Sequence, residues 1–181
     1  MAKTLISTST ASASATLDIT SGIDSTYPVY EFHFVNLHSS QVAQGDVPNF
    51  RASIDGGSNY GVATTTSYFS AFTRETGGST SLAYRASYDA AQSTGDLQFG
   101  GPSGTESDQA LSGVMTLYDP SSTTFVKHFI SHTNANSWAS AYVETHYLAG
   151  YVNTTSAVNA ISFFYSGGNI DDGVIKMYGV S

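Results

Sequence analysis

The sequence predicts an all-β protein: one jelly-roll-like antiparallel β-sandwich of about ten strands with an extended N-terminal arm. Three observations predict it. Apolar and polar residues alternate with a period of two along most of the 181 residues, as in strands with one buried face. Clusters of Gly, Pro, Asn, Asp and Ser interrupt the alternation roughly every 8–15 residues, the spacing of a sandwich or barrel. No stretch carries apolar residues at i, i+3, i+4 and i+7 over three turns, the signature of an amphipathic helix.

Residues 1–16 are expected to form the arm, because Ser7 to Thr16 is a low-complexity run of Ser, Thr and Ala. Such a segment lies free, along a sheet edge or on a neighbouring subunit. The sandwich domain is expected over residues 17–181, with its first strand at Leu17–Ile19. Within Tyr27–Asn36, Tyr30, Phe32 and Phe34 share one face, and Val29, Glu31, His33 and Val35 share the other. Further strands are expected at Asn49–Asp55, Ser67–Arg74, Leu82–Asp89, Gly113–Tyr118, Phe125–Thr133, Trp138–Tyr151, Val158–Tyr165 and Val174–Val180. The separators Asp55-Gly-Gly-Ser-Asn59, Thr76-Gly-Gly-Ser79, Asp119-Pro-Ser-Ser122 and Ser166-Gly-Gly-Asn169 have turn chemistry. The longest break, Phe99 to Asp108, reads as an exposed loop.

Composition narrows the function. Fourteen acidic and six basic residues give a net charge of −8, yet only 11% of residues are charged, about half the usual share. Polarity comes instead from 28 Ser and 21 Thr, and 23 residues are aromatic (12 Tyr, 10 Phe, one Trp). With 40% hydrophobic residues the chain can fill a core, which argues against disorder. No apolar run approaches the roughly 20 residues of a membrane span, so no membrane insertion is expected. Six scattered cations make no phosphate-binding patch, so no nucleic-acid partner is expected. There are no cysteines, hence no disulfide or thiolate chemistry. The apolar run Leu5-Ile6 is far shorter than the roughly 7–15 residues of a secretory signal, so synthesis and use from a cytoplasm is expected.

No motif for catalysis stands out, and no cofactor, metal or enzyme activity is expected. His128 and His132 sit two strand repeats apart, about 13 Å, too far to share one metal ion, and read as surface or interface residues. Asp171 and Asp172, in a Gly-rich setting, read as part of a turn before the last strand, with a cation site as the alternative. Asp18, Asp24, Asp46, Asp55 and Asp96 are scattered acids near turns. A glycoside hydrolase needs two carboxylates. Of the four glutamates, Glu31, Glu75, Glu106 and Glu144, only Glu31 and Glu144 fall inside expected strands. The aromatic cluster Trp138, Tyr142, Tyr147 and Tyr151 is the candidate interface or glycan-contact set. Trp138 and Tyr142 share one strand parity, Tyr147 and Tyr151 the other. Aromatics on both faces favour a core on one side and a subunit contact on the other.

Several stretches carry a resemblance. They are the run from Leu5 to Asp24, Tyr30-Glu-Phe-His-Phe-Val-Asn36, Leu82-Ala-Tyr-Arg85 and Pro120-Ser-Ser-Thr-Thr-Phe-Val-Lys-His-Phe-Ile-Ser131. Two more are Ala149-Gly-Tyr-Val-Asn-Thr-Thr155 and the close, Ser166-Gly-Gly-Asn-Ile-Asp-Asp-Gly-Val-Ile-Lys-Met-Tyr-Gly-Val180. Together they resemble, end to end, a family of small virion-associated structural proteins of marine tailed bacteriophages. The likeness is weakest from Phe50 to Gly104. The resemblance implies a non-catalytic virion subunit, made in the host bacterial cytoplasm and displayed as a capsid decoration or a tail or fibre appendage. The expected partners are copies of itself, in a symmetric oligomer with three-fold symmetry, and other virion proteins. The alternative is a receptor- or glycan-binding module at a fibre tip, with a host-surface glycan as partner. The resemblance supplies no catalytic or binding residue.

Overall fold

β-Branched and aromatic residues at alternate positions suit a pleated, half-buried surface, and the described residues form twelve strands. A computed structural model describes residues 2–41, 46–137 and 142–181. Along the chain the strands are β1 (Lys3–Thr10), β2 (Leu17–Ile19), β3 (Val29–Ser39), β4 (Pro48–Ser53), β5 (Thr64–Arg74) and β6 (Thr80–Tyr84). They continue as β7 (Leu97–Gln98), β8 (Leu111–Tyr118), β9 (Lys127–Asn136), β10 (Tyr142–Val152), β11 (Ala160–Tyr165) and β12 (Ile170–Val180). All pairings are antiparallel. Eight strands form one sheet in the order β1-β12-β3-β8-β9-β10-β5-β6, and four form the other, β2-β11-β4-β7. This is the all-β, jelly-roll-like sandwich that the alternation predicts. No helix among the described residues is long and apolar enough to cross a membrane.

The core is an aromatic layer between the sheets. Tyr30, Phe32 and Phe34 of β3 point inward and are buried. Phe34 meets Phe99 at 4.8 Å and Phe163 at 5.2 Å between ring centroids, and Phe50 meets Phe129 at 5.2 Å. These edge-on and tilted contacts are the arrangement ring quadrupoles favour. The phenol of Tyr30 remains satisfied at its polar tip by Asp24, whose amide donates to it at 3.0 Å and whose carboxylate accepts from it. Strand β11 is buried along its whole length. On its outer side the Arg51 guanidinium lies 4.4 Å over the Phe164 ring while bonding Asp96 at 2.6 Å. Asp46 closes the turn before β12: it accepts from Ser39 and from the amides of Gly167 (2.7 Å) and Gly168 (3.2 Å).

Four sequence expectations change. Twelve strands replace about ten, because Lys3–Thr10 pairs with β12 as the edge of the larger sheet and Leu97–Gln98 pairs with β4. The expected strand Leu82–Asp89 ends at Tyr84 and turns through a 3₁₀ segment, Ala86–Tyr88. There Asp89 leaves the sheet plane to accept from the Tyr68 amide at 2.8 Å and from the Tyr84 hydroxyl. The break from Phe99 is exposed only in its second half. Gly100, Gly101, Ser103 and Gly104 are buried, and Ser103 donates to the Tyr165 hydroxyl at 2.8 Å. Asp171 and Asp172 lie inside β12, where the register shifts twice beside them. Gly173, at φ +115°, absorbs that irregularity in a conformation that L side chains rarely adopt.

Candidate functional site

Two surfaces gather the side chains that sequence and fold single out. The first is the outer face of the eight-stranded sheet. Strand register places Tyr84 (β6), Phe69 (β5), Tyr147 (β10), His132 (β9), Val114 (β8) and His33 (β3) in one cross-strand row. Tyr147 stacks between two of them. Its ring lies 4.3 Å from His132 and 4.7 Å from Phe69, each within 10° of parallel. Tyr151 approaches His128 at 5.9 Å. Leu82, Tyr84, Phe69, Ile130, Val143 and Tyr118 are exposed beside this row. Across the five adjacent strands β8, β9, β10, β5 and β6, none of the outward-facing strand residues is Asp, Glu, Lys or Arg. Charge enters only beyond them. Glu31 of β3 accepts from Lys3 at 2.7 Å and contacts His33 Nε2 at 2.7 Å. Burial pushes the Glu31 carboxyl up, but these two partners outweigh it and hold it below the usual range.

The second is a cavity of about 350 Å³ at the β5–β10 end of the inner face. Strand parity turns Tyr142, Glu144 and His146 of β10 inward, opposite to Tyr147 and Tyr151. Ser70 and Phe72 come from β5, Arg85 and Tyr88 from the 3₁₀ corner, Gln98 from β7 and Gly101 from the segment after it. His146 is 3% exposed. Its Nδ1 is 2.8 Å from the Tyr68 hydroxyl. Its Nε2 makes no hydrogen bond, with Glu144 Oε2 at 3.3 Å its near neighbour. Burial raises the Tyr68 pKa far above the ordinary phenol value, so this hydroxyl keeps its proton. The phenol and Nδ1 share one hydrogen bond, and Nε2 lies sealed beneath Gly101. Arg85 Nε donates to Ser70 Oγ at 2.8 Å, which fixes the guanidinium. Gly101 closes the site: a Cβ there would collide with His146 Nε2 and come within 2.8 Å of Glu144 Oε2.

The sequence-singled residues thus divide. Tyr142 lines the cavity, Tyr147 and Tyr151 lie on the outer face, and Trp138 lies outside the described residues. Glu31 and Glu144 do not converge, since Glu31 faces outward and Glu144 inward. His128 and His132 both face outward, with exposed Ile130 between them. His38 Nδ1 bonds Asp171 at 3.1 Å in a pocket of about 670 Å³ that also takes in Asp108 and Asp172. Among the described residues no group of three or more His, Asp or Glu is placed to hold a metal ion. Sequence reasoning missed Tyr68, Arg85, Gln98 and Gly101. Only Gly100-Gly101-Pro102 carried a signal, two glycines where a backbone approaches another group closely. Comparison with protein-family models, with curated proteins and with solved structures finds no match to this chain.

Proposed function

We propose that this chain is a bacteriophage virion structural protein, a self-associating sandwich subunit displayed as a capsid decoration or a tail or fibre appendage, without catalysis. The observation that carries it is the uncharged, aromatic outer face over β8, β9, β10, β5 and β6 in a chain of charge −8. The occupant is a second copy of this chain. Two such faces meet without burying an unpaired charge, which would cost several kcal/mol, and the repelling acids stay outside the contact. Interface cores are depleted in charge and enriched in Tyr and Phe in the same way. A face that meets its own copy closes a two-fold pair; in the three-fold arrangement we favour, this face meets a second patch on the next copy. The end-to-end resemblance described above supports the virion setting, with other virion proteins as further partners.

The test has two arms. Mass photometry of the purified chain is expected to give a single oligomer, and mass spectrometry of purified particles is expected to find the chain. A monomer at micromolar concentration, absent from particles, overturns the reading.

One observation favours a second reading, a receptor- or glycan-binding module at a fibre tip. The inner cavity sets Tyr142, Tyr88 and Phe72 beside hydrogen-bonding groups, the combination that ligand sites use. Adsorption of a deletion phage at the wild-type rate overturns it.

A further inference from the structure

We infer that self-association through the outer face is switched by pH, with His128 and His132 as the two groups that charge it. The inference rests on the first reading above and names how that contact is regulated.

The outer face of β8, β9, β10, β5 and β6 carries no Asp, Glu, Lys or Arg, and its tyrosines charge only near pH 10 or above. Histidine is the side chain that ordinarily changes charge between pH 5 and 8. Two histidines lie on these five strand faces, both on β9 and both exposed. The chain has five, and the other three stand apart. His146 is buried on the inner side, His38 bonds Asp171, and His33 lies on β3 with Glu31 2.7 Å from its Nε2.

The surroundings of His128 and His132 offer a proton no countercharge. His132 has Tyr147 of β10 stacked on it at 4.3 Å, Val114 opposite on β8, and Ile130 and Asn134 beside it on its own strand. Past Val114 the same row reaches His33, whose neighbours are Glu31, Lys3, Lys176 and Tyr178. That one carboxylate is already shared between His33 and Lys3. His128 has Tyr151 of β10 at 5.9 Å, with Tyr118 at the end of β8. Lys127 beside it turns inward, and Asp119, in the turn after β8, acts on that buried ammonium. Among the described residues no carboxylate lies within ion-pair distance of either ring.

Desolvation sets the direction. In the free subunit a protonated His132 stays open to water and lies over Tyr147, whose ring face attracts a cation. Covered by a second copy, the same charge leaves water with no partner on its own face, and burial penalises the charged form. The free state therefore holds protons that the associated state gives up, so association weakens as pH falls. Each histidine that sheds a proton on binding costs about tenfold in affinity per pH unit below its titration range. Acid also lowers the overall negative charge of the chain, which acts the other way. At about 0.15 M salt, charges more than roughly 8 Å apart are largely screened, so the two rings inside the contact outweigh the distant acids.

The experiment is sedimentation velocity over a concentration series at about pH 7.5 and about pH 5.5 in that salt, with circular dichroism at both. The wild type is expected to associate at the higher pH and to lose about tenfold or more in affinity at the lower. In His128→Gln/His132→Gln the ratio of the two affinities is expected to fall to near one, whatever the affinity at the higher pH. His128→Phe/His132→Phe, which keeps rings beside Tyr151 and Tyr147 but cannot charge, is expected to give the same ratio. Wild-type affinity that does not change with pH overturns the inference and leaves self-association standing. Affinity that rises at the lower pH also overturns it, and sets carboxylates of the second copy against these rings. A pH dependence that persists in both double variants overturns the roles of His128 and His132. Association lost together with the folded spectrum reports unfolding and overturns the switch. A wild-type monomer at both pH values overturns the first reading and the inference with it.

Discussion

Tyr147 lies face to face with His132, ring centroids 4.3 Å apart and planes 10° from parallel, on the solvent side of the larger sheet. Phe69 stacks on the other side of the same tyrosine. Three rings from three adjacent strands therefore form a flat apolar strip across β9, β10 and β5. Cross-strand pairs of this kind contribute roughly 0.2–1 kcal/mol each. A strip this open to water is what a second copy would cover.

Charge placed on that strip is expected to separate the oligomer without unfolding the subunit. Phe69→Glu and Ile130→Glu alter exposed side chains, 42% and 50% accessible. Light scattering coupled to size exclusion is expected to give monomers for the double variant, with a far-ultraviolet spectrum like the wild type. An oligomer of unchanged mass places the contact elsewhere.

Lys127 is fully buried at the start of β9, and its ammonium donates to the carbonyls of Phe125 (2.8 Å) and Thr154 (3.1 Å). Burial holds its pKa below the ordinary lysine value. Lys127→Ala leaves both carbonyls without this donor and opens a gap under the sheet. A loss of about 2–4 kcal/mol is expected in urea denaturation.

Asp46 gathers Ser39 and the amides of Gly167 and Gly168 around one carboxylate. Asp46→Ala unties the turn that feeds β12 from the end of β3. The expected cost is about 1–3 kcal/mol, moderated because Gly167 can rehydrate. Hydrogen exchange should show faster exchange at Gly167 and Gly168.

Acid is expected to weaken the fold. Hydrogen bonds from Thr26 hold Asp24 below its ordinary value, and hydrogen bonds from Asn59 and Ser53 do the same for Asp55. Glu31 is likewise lowered, by Lys3 and His33 against the opposing effect of burial. A carboxyl whose pKa is lower folded than unfolded contributes stability above its unfolded value and loses it as pH falls through its folded value. The ordinary values are 3.8 for the aspartates and 4.5 for Glu31. The urea midpoint should therefore stay flat from pH 7 to about 5 with respect to these groups and fall below about 4.5. Glu31→Gln should shallow the upper part of that fall.

Much of the sandwich was legible in local pattern. Tyr30, Phe32 and Phe34 face the core as their spacing requires, and Tyr142 opposes Tyr147 as theirs does. A period of two needs only the pleat of one strand, so it survives without knowledge of partners. The edge strand β1 was hidden because its Ser and Thr carry little apolar contrast. It is held by backbone bonds to β12, which any sequence can make. The buried half of the loop after Phe99 was hidden for a related reason: glycines and serines mark a turn and a close approach alike.

By itself, then, the sequence determined the all-β class, the facing of most strands and the shortage of charge, since each follows from the order of side chains along one strand. Only the tertiary structure decided that five uncharged strand faces lie side by side, because sheet order is not chain order: β8, β9 and β10 meet β5 and β6 from earlier in the chain. It alone parted Glu31 from Glu144, and it alone brought Tyr68, Arg85, Gln98 and Gly101 around His146. With His146 they come from four separate stretches of chain: the pairing of β5 with β10 sets Tyr68 beside His146, and the closing of one sheet over the other brings Gln98 and Gly101 to them.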